Sequence, residues 1–270
     1  MPVVVDTHVH VFNRRLPMAP SRRYAPDYDA ELDDFLRLGR LAGVSHAVLV
    51  QPSFLGYDCS FMVDALRRMP GVLRGIAVVP DSIPPKELTA LRDEGVVGIR
   101  LNLDGLPLPD FALGPWPGLL AQLRDLDMQV ELHRDAADLH ALIPPLVRAG
   151  VRVVVDHFGR PDARLGTDDP GFQFLLSQAA TGKVWVKLSA AYRNGWRDPS
   201  HPEALRAAGL LLAHFGAERL VWGSDWPHTR HEQGNDIAGS LAALQAWVPR
   251  ADQQQAVLGD TAMRLFGFAS

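Results

Sequence analysis

Short apolar runs recur along the chain. Each is closed by polar or turn-forming residues and followed by a stretch whose apolar positions have helical spacing. The runs cover residues 3–6, 46–51, 73–79, 96–102, 129–133, 152–157, 184–189 and 220–224. Their starts lie 23 to 43 residues apart, room each time for a strand, a loop and a helix. Between them, residues 30–42 place Leu32, Phe35, Leu36 and Leu38 on one helical stripe, and residues 139–149 do the same with Leu142, Ile143, Leu146 and Val147. Val153-Val154-Val155 is apolar at successive positions, as in a parallel strand covered on both faces. Eight such units predict an α/β chain folded as one (β/α)8 TIM barrel over residues 1–270. An open doubly wound sheet is the alternative, but no Gly-x-Gly-x-x-Gly turn follows the first run. Residues 251–268 predict a terminal helix that closes the barrel, with Ala262, Leu265 and Phe266 buried. The Pro- and Gly-rich stretches 103–117, 156–170 and 195–202 read as long loops after strands, where barrels carry function.

Composition narrows the partners rather than the fold. Hydrophobic residues make up 47% of the 270 and charged residues 21%, enough for a sizeable core. A formal net charge of −4 gives no bulk attraction to nucleic acid or to an anionic membrane. The single cysteine, Cys59, excludes an intramolecular disulfide framework and a cysteine-based zinc knuckle. Asp6 interrupts the N-terminal apolar run, which has no basic stretch before it, and no run approaches the roughly 20 apolar residues of a membrane span. The expectation is a soluble, cytoplasmic protein; its oligomeric state has no signature here.

The informative residues are polar ones at strand ends. Of ten histidines, His8 and His10 end the first run, His133 the fifth and His157 the sixth; Asp225 ends the eighth, with His228 three residues beyond. In a parallel barrel all these ends meet on one face. His8 and His10, two apart, point to the same side of an extended segment, which suits two ligands of one ion. Each residue has a plainer reading as a carbonyl or turn cap. It is their shared position at strand ends that argues for a site.

Three arginines form a second set: Arg100 within the fourth run, Arg160 after the sixth and Arg193 after the seventh. Arginine among apolar strand neighbours is costly to bury unpaired, and its planar fork matches a carboxylate. The alternatives are an internal ion pair, for which Asp6, Asp156 or Asp104 is available, and an anion clamp in a cleft. Lys187 lies on the seventh strand with its facing open. Gln51, Ser53, Tyr24 and Tyr57 are further polar candidates, Tyr24 in a first loop long enough to cover a site. Trp222, Trp226, Phe54-x-x-Tyr57 and Phe35-Leu36 read as packing.

Asp6-Thr7-His8-Val9-His10, Val155-Asp156-His157-Phe158-Gly159-Arg160-Pro161 and Trp222-Gly223-Ser224-Asp225-Trp226-Pro227-His228 together resemble the amidohydrolase superfamily, in its amidohydrolase-2 branch. The likeness runs nearly end to end, and the Ser189-x-x-x-Arg193 element points within that branch to the group of 2-pyrone-4,6-dicarboxylate and sugar lactonases. The resemblance implies that Asp225 is the general base activating water, and that His8, His10 and His157 polarise the lactone carbonyl or stabilise its oxyanion. It implies further that Tyr24, Ser53, Arg100, Arg160, Arg193 and His228 bind substrate. Relatives with two bridged ions use a modified lysine on the fourth strand, where this chain has Arg100 and Asn102, so a two-metal site is not expected. His133 stands where metal-dependent relatives have a ligand, so His8, His10, His133 and Asp225 are the set for one zinc-like divalent ion; catalysis without metal is the equal alternative. After Asn102 the chain reads Leu103-Asp104-Gly105, where a dicarboxylate enzyme would carry further basic residues.

The expected activity is hydrolysis of a small anionic lactone, with imidazolium groups or a metal stabilising the tetrahedral oxyanion. The alternatives are a sugar lactonase, a metal-dependent decarboxylase of the same branch, and an anion-binding barrel without turnover.

Overall fold

The computed structural model describes residues 2–269. Eight parallel strands stand in sequential order: β1 (Val5–Val9), β2 (His46–Val50), β3 (Leu73–Ala77), β4 (Val96–Asn102), β5 (Gln129–His133), β6 (Val153–Val155), β7 (Val184–Ser189) and β8 (Leu220–Gly223). A helix follows each: α1 (Leu32–Leu41), α2 (Ser60–Arg68), α3 (Pro85–Asp93), α4 (Trp116–Asp125), α5 (Leu139–Arg148), α6 (Pro170–Ser177), α7 (Pro202–Phe215) and α8 (Ile237–Trp247). The fold is the (β/α)8 barrel that the hydrophobic pattern predicts.

The last strand meets the first through backbone bonds. The Asp225 N–H donates to the His8 carbonyl at 2.9 Å and the His10 N–H to the Trp226 carbonyl at 2.8 Å. The Thr7 hydroxyl adds a bond to the Trp222 carbonyl at 2.7 Å. Gly223 is required here, because a Cβ at that position would lie 2.6 Å from the His8 Cβ. Asp6 ties the same junction, its Oδ1 accepting the Ser224 N–H at 2.8 Å.

Strand limits differ from the sequence reading where polar residues enter the barrel. β1 runs on to Val9 because its pairing with β2 continues through the polar residues, from Val5 opposite His46 to Val9 opposite Leu49. β6 stops at Val155 because the chain turns sharply, with His157 at φ 53° and Phe158 at φ 60°. The terminal stretch is not one helix: α9 (Ala251–Gln255) passes through a wider π-helical turn at Ala256–Asp260 into α10 (Thr261–Leu265). It still caps the barrel, where Ala262, Leu265, Phe266 and Phe268 pack against Val5, Val48, Val50, Ile76, Val154 and Val221. Tyr57, read as packing, is exposed, while Phe54 is fully buried.

Candidate active site

Inside the barrel, above that apolar plug, lies a layer of buried charge. Contacts between strands that are not sheet neighbours pass through the interior, so they show which side chains face inward. Arg100 on β4 reaches Asp156 after β6, with Nε at 2.9 Å and Nη2 at 2.8 Å from the same Oδ2. Lys187 on β7 reaches Glu131 on β5 at 2.6 Å. The Lys187 ammonium also donates to the Thr7 carbonyl at 3.0 Å and lies 3.0 Å from His8 Nδ1 and 3.4 Å from Asp156 Oδ1. The ion-pair reading of Arg100 therefore holds, with Asp156 as its acid, and Lys187 faces inward. Glu131 was missed as a site residue, although an acid between Val130 and Leu132 is the same signal that singled out Arg100.

The histidines stand on this layer. His8 and His10 have ring centroids 4.9 Å apart and His8 and His157 4.8 Å, all edge-on. His10 Nδ1 lies 2.7 Å from the Val50 carbonyl, which can only accept, so Nδ1 donates there and Nε2 is the ring nitrogen turned towards Asp225. His157 Nδ1 meets the Ser189 hydroxyl at 2.8 Å. His133 is engaged at both nitrogens: Nδ1 faces Asn102 Oδ1 at 2.9 Å and Nε2 accepts from Arg160 Nη1 at 3.0 Å.

Asp225 is divided between two environments. Its Oδ2 accepts from the Tyr192 hydroxyl at 2.5 Å and from Arg193, with Nε at 2.8 Å and Nη2 at 2.7 Å. Its Oδ1 is buried without a hydrogen-bond partner, 3.6 Å from both His8 Nε2 and His10 Nε2. Left-handed backbone at Asp225, φ 65°, helps turn the carboxylate inward, a conformation that costs a non-glycine residue energy and recurs at functional sites.

These surroundings set the protonation states. Burial works to raise the Asp225 pKa, but the Arg193 guanidinium and the facing imidazoles outweigh it and hold the group well below the usual carboxylate range. Burial, then the Lys187 charge, pushes His8 well below its ordinary value. Burial brings His157 down to about 3 against the pull of Asp156 and Asp225. Burial, then Arg100 and Arg160, lowers His133. At neutral pH these three rings are neutral and carry no imidazolium charge.

Above lies a cavity of about 190 Å³ whose lining includes His10, His133, His157, Asp225, Arg193 and Tyr24. Ser53, Arg100 and Arg160 also line it. His8 lies fully buried behind the lining, and His228 does not reach the cavity: it backs Tyr192, with Nδ1 3.2 Å from the hydroxyl. Gln51 turns away to donate to the Asp58 carbonyl at 2.7 Å. Arg23, Arg230, His231 and Thr229 line the cavity from loops without having been singled out in the sequence, and no periodicity marks them. Tyr192, on Asp225, adjoins the arginine that was.

His8, His157 and Asp225 bring ligand atoms within 4.8 Å of one another. His8 Nε2 and Asp225 Oδ1 are buried without partners, which fits a cation between them, and nitrogen with carboxylate oxygen suits a zinc-like ion. His133, already accepting from Arg160, is the member of the expected set least free to join.

The amidohydrolase model matches residues 5–268. The chain belongs to the amidohydrolase family. Among amidohydrolases similar to it, a 2-pyrone-4,6-dicarboxylate hydrolase of Comamonas testosteroni is 33% identical, covering 97% of this chain and 89% of its own length. A 4-sulfomuconolactone hydrolase of Hydrogenophaga intermedia is 29% identical over 97% of this chain and 88% of its own. The crystal structure of a probable 2-pyrone-4,6-dicarboxylic acid hydrolase from Acinetobacter baumannii with citric acid bound superposes with a TM-score of 0.93 at 37% identity, covering 98% of this chain and 99% of that one.

Proposed function

We propose that this amidohydrolase opens a small anionic lactone, of the 2-pyrone-4,6-dicarboxylate kind, with Asp225 as the general base. The observation that carries this reading is the division of the Asp225 carboxylate. Oδ2 is clamped by Arg193 and Tyr192, while Oδ1 is unpartnered and lies 3.6 Å from His10 Nε2. A water donating to Oδ1 beside His10 would present its lone pair to a carbonyl carbon in the cavity. Asp225 takes one proton, the hydroxide oxygen bonds to the carbonyl carbon, and the neutral His157 ring on the cavity wall donates an N–H to the oxyanion, with His8 packed behind it. Collapse breaks the ring C–O bond, and the proton held by Asp225 passes to the leaving oxygen. Arg193 keeps the base ionised in the resting site.

The arginine-rich wall favours a substrate carrying carboxylate or sulfonate over a neutral sugar lactone. The two curated relatives are named for dicarboxylate and sulfonate substrates respectively. If a single zinc-like ion is resident, His8, His157 and Asp225 would hold it, and it would supply Lewis acidity at the carbonyl. No helix among the described residues is long and apolar enough to cross a membrane.

The test is acid release in a pH-stat with carboxylated pyrones, muconolactones and sugar lactones, each with and without chelator. Turnover of the carboxylated compounds is expected; turnover confined to sugar lactones would overturn the substrate class. A rate unchanged by chelator supports the metal-free route, and loss that a divalent ion restores supports the metal.

A further inference from the structure

Five arginines line the cavity: Arg23, Arg100, Arg160, Arg193 and Arg230. Four already hold an acid. Arg100 is on Asp156 at 2.8 Å, Arg160 on Asp135 at 2.8 Å, Arg193 on Asp225 at 2.7 Å, and Arg23 on Asp104. A substrate carboxylate can engage one of these fully only by competing with an internal ion pair. Arg230 is different: among the described residues no carboxylate lies within 4.0 Å of its guanidinium. The acid two residues on, Glu232, is taken by the Tyr28 hydroxyl at 2.8 Å and by the backbone N–H of Arg230 itself at 2.8 Å.

The surroundings of Arg230 aim it. Its backbone is left-handed, φ 69°, as are those of His228, φ 62°, and Asp225, so the segment after β8 enters three times a region that non-glycine residues avoid. The guanidinium carbon stands 5.7 Å from the centroid of the Tyr24 ring. That ring is in turn fixed by its hydroxyl, 3.1 Å from Thr229 Oγ1. An aromatic face and a free planar fork thus stand together on the cavity wall.

We propose that Arg230 is the specificity-determining residue that seats the remote carboxylate or sulfonate of the substrate, with Tyr24 as its platform. This deepens the lactone reading above and rests on it. The fork offers two parallel N–H bonds to such a group, and no internal ion pair has to break first. Asp104 withholds Arg23 from the same task, so among the described residues Arg230 is the cavity arginine left without an acid.

The experiment is calorimetric titration of citrate, a carboxylate probe that needs no turnover, into the whole protein at fixed low salt. Arg230→Gln should raise Kd about tenfold or more, and Arg230→Lys should recover part of the loss. Arg22→Gln is the control: Arg22, exposed like Arg230, lies outside the cavity and donates to the Ala19 carbonyl at 3.2 Å, so its Kd should stay within about twofold of the parent, because a charge off the cavity wall has no contact with the bound carboxylate. A parent that binds no citrate, an unchanged Kd in Arg230→Gln, or an equal loss in Arg22→Gln would each overturn the anchor. Citrate binding that depends on Arg230, in a protein that releases acid from no lactone, would uphold the anchor and sink the hydrolase reading alone.

Discussion

The two ends of this barrel are made from the same strands and obey opposite rules. At the end capped by the terminal segment, Val5, Val48, Val50, Ile76, Val154 and Val221 meet Ala262, Leu265 and Phe266 in an apolar plug. Burying a side chain of the valine-to-phenylalanine range contributes about 1.5–3 kcal/mol. Where strands finish, the interior holds Arg100, Glu131, Asp156, Lys187, His8 and Asp225, none more than 5% exposed. Among the described residues eight non-glycine positions have positive φ, and seven of them, from His157 to Arg230, follow β6, β7 or β8 at this end. Single strands show the change residue by residue: Val154 precedes Asp156, and Val221 precedes Gly223 and Asp225. Desolvated charge and strained backbone are held at one end because close packing at the other holds the cylinder. Stability and chemistry are therefore separable by mutation.

The largest expected effect tests that separation directly. Asp225→Asn should lower kcat by roughly 10²–10⁴-fold, the range for a lost general base. Phe266→Ala should cost about 3–5 kcal/mol of unfolding free energy, as for a buried aromatic, while kcat per folded molecule stays at the parent value. Urea unfolding and active-site-normalised turnover on the two variants check this. Comparable kcat losses in both would show that the ends are coupled.

The buried pair of Lys187 and Glu131 sharpens the contrast within the charged end. Lys187→Met leaves Glu131 uncompensated in the interior and should destabilise the fold by about 3–5 kcal/mol. Adding Glu131→Leu should recover most of that loss, because an apolar pair of similar volume replaces two desolvated ions. A double variant as unstable as the single one would mean that Lys187 acts through its contacts with Thr7 and His8.

Asp6 makes a pH-dependent link between β1 and β8. Burial raises its pKa to about 6 against the hydrogen bonds from Ser224 and His8. A folded-state pKa above the unfolded value means that the folded protein holds a proton which the unfolded chain releases. This contribution to stability is complete below the unfolded pKa, near 3.8, and is lost as pH rises through about 6. Asp6→Asn cannot titrate, so its stability relative to the parent should rise between pH 4 and 7 by up to about 3 kcal/mol. Asp225 and Asp156, whose pKa values are lowered, act in the opposite sense in parent and variant alike and largely cancel in the difference. Parallel unfolding curves at several pH values check the sign.

How much of this is legible in the chain follows from what periodicity can encode. β2, β4, β5, β7 and β8 lie within a residue of the bounds read from the sequence, although Arg100, Glu131 and Lys187 interrupt three of them, because nearly every position in these strands is buried and their ends fall at turn residues. β1 was cut short because Thr7, His8 and His10 look like the end of a strand when in fact the strand continues into a polar interior. His10 and Asp225 meet at the cavity floor as strand-end placement predicts, since the barrel topology converts sequence position into a common rim. Partners do not follow from topology: nothing in the spacing assigns Asp156 to Arg100 or Glu131 to Lys187. The loop arginines Arg23 and Arg230 were invisible for a further reason. Arg230 is aimed by left-handed backbone at His228 and at itself, and Arg23 by its pairing with Asp104 on another loop, neither of which leaves a period in the sequence.

The smallest effect separates the rim from the buried layer. Arg160 lines the cavity, yet its side chain is 19% exposed and its acid, Asp135, is 57% exposed. Removing it strands no buried charge, so Arg160→Met should change stability by less than about 1 kcal/mol, as for a largely solvated ion pair. Its effect belongs to binding: KM for a carboxylated lactone should rise about tenfold with kcat little changed, the mark of an interaction made equally in ground and transition states. His133 gives a second readout. With the Arg160 cation gone, one of the charges that lower the His133 pKa disappears, so the ring should titrate at higher pH in the variant. A loss of kcat in place of the rise in KM, or an unmoved His133, would place Arg160 with the buried layer rather than the rim.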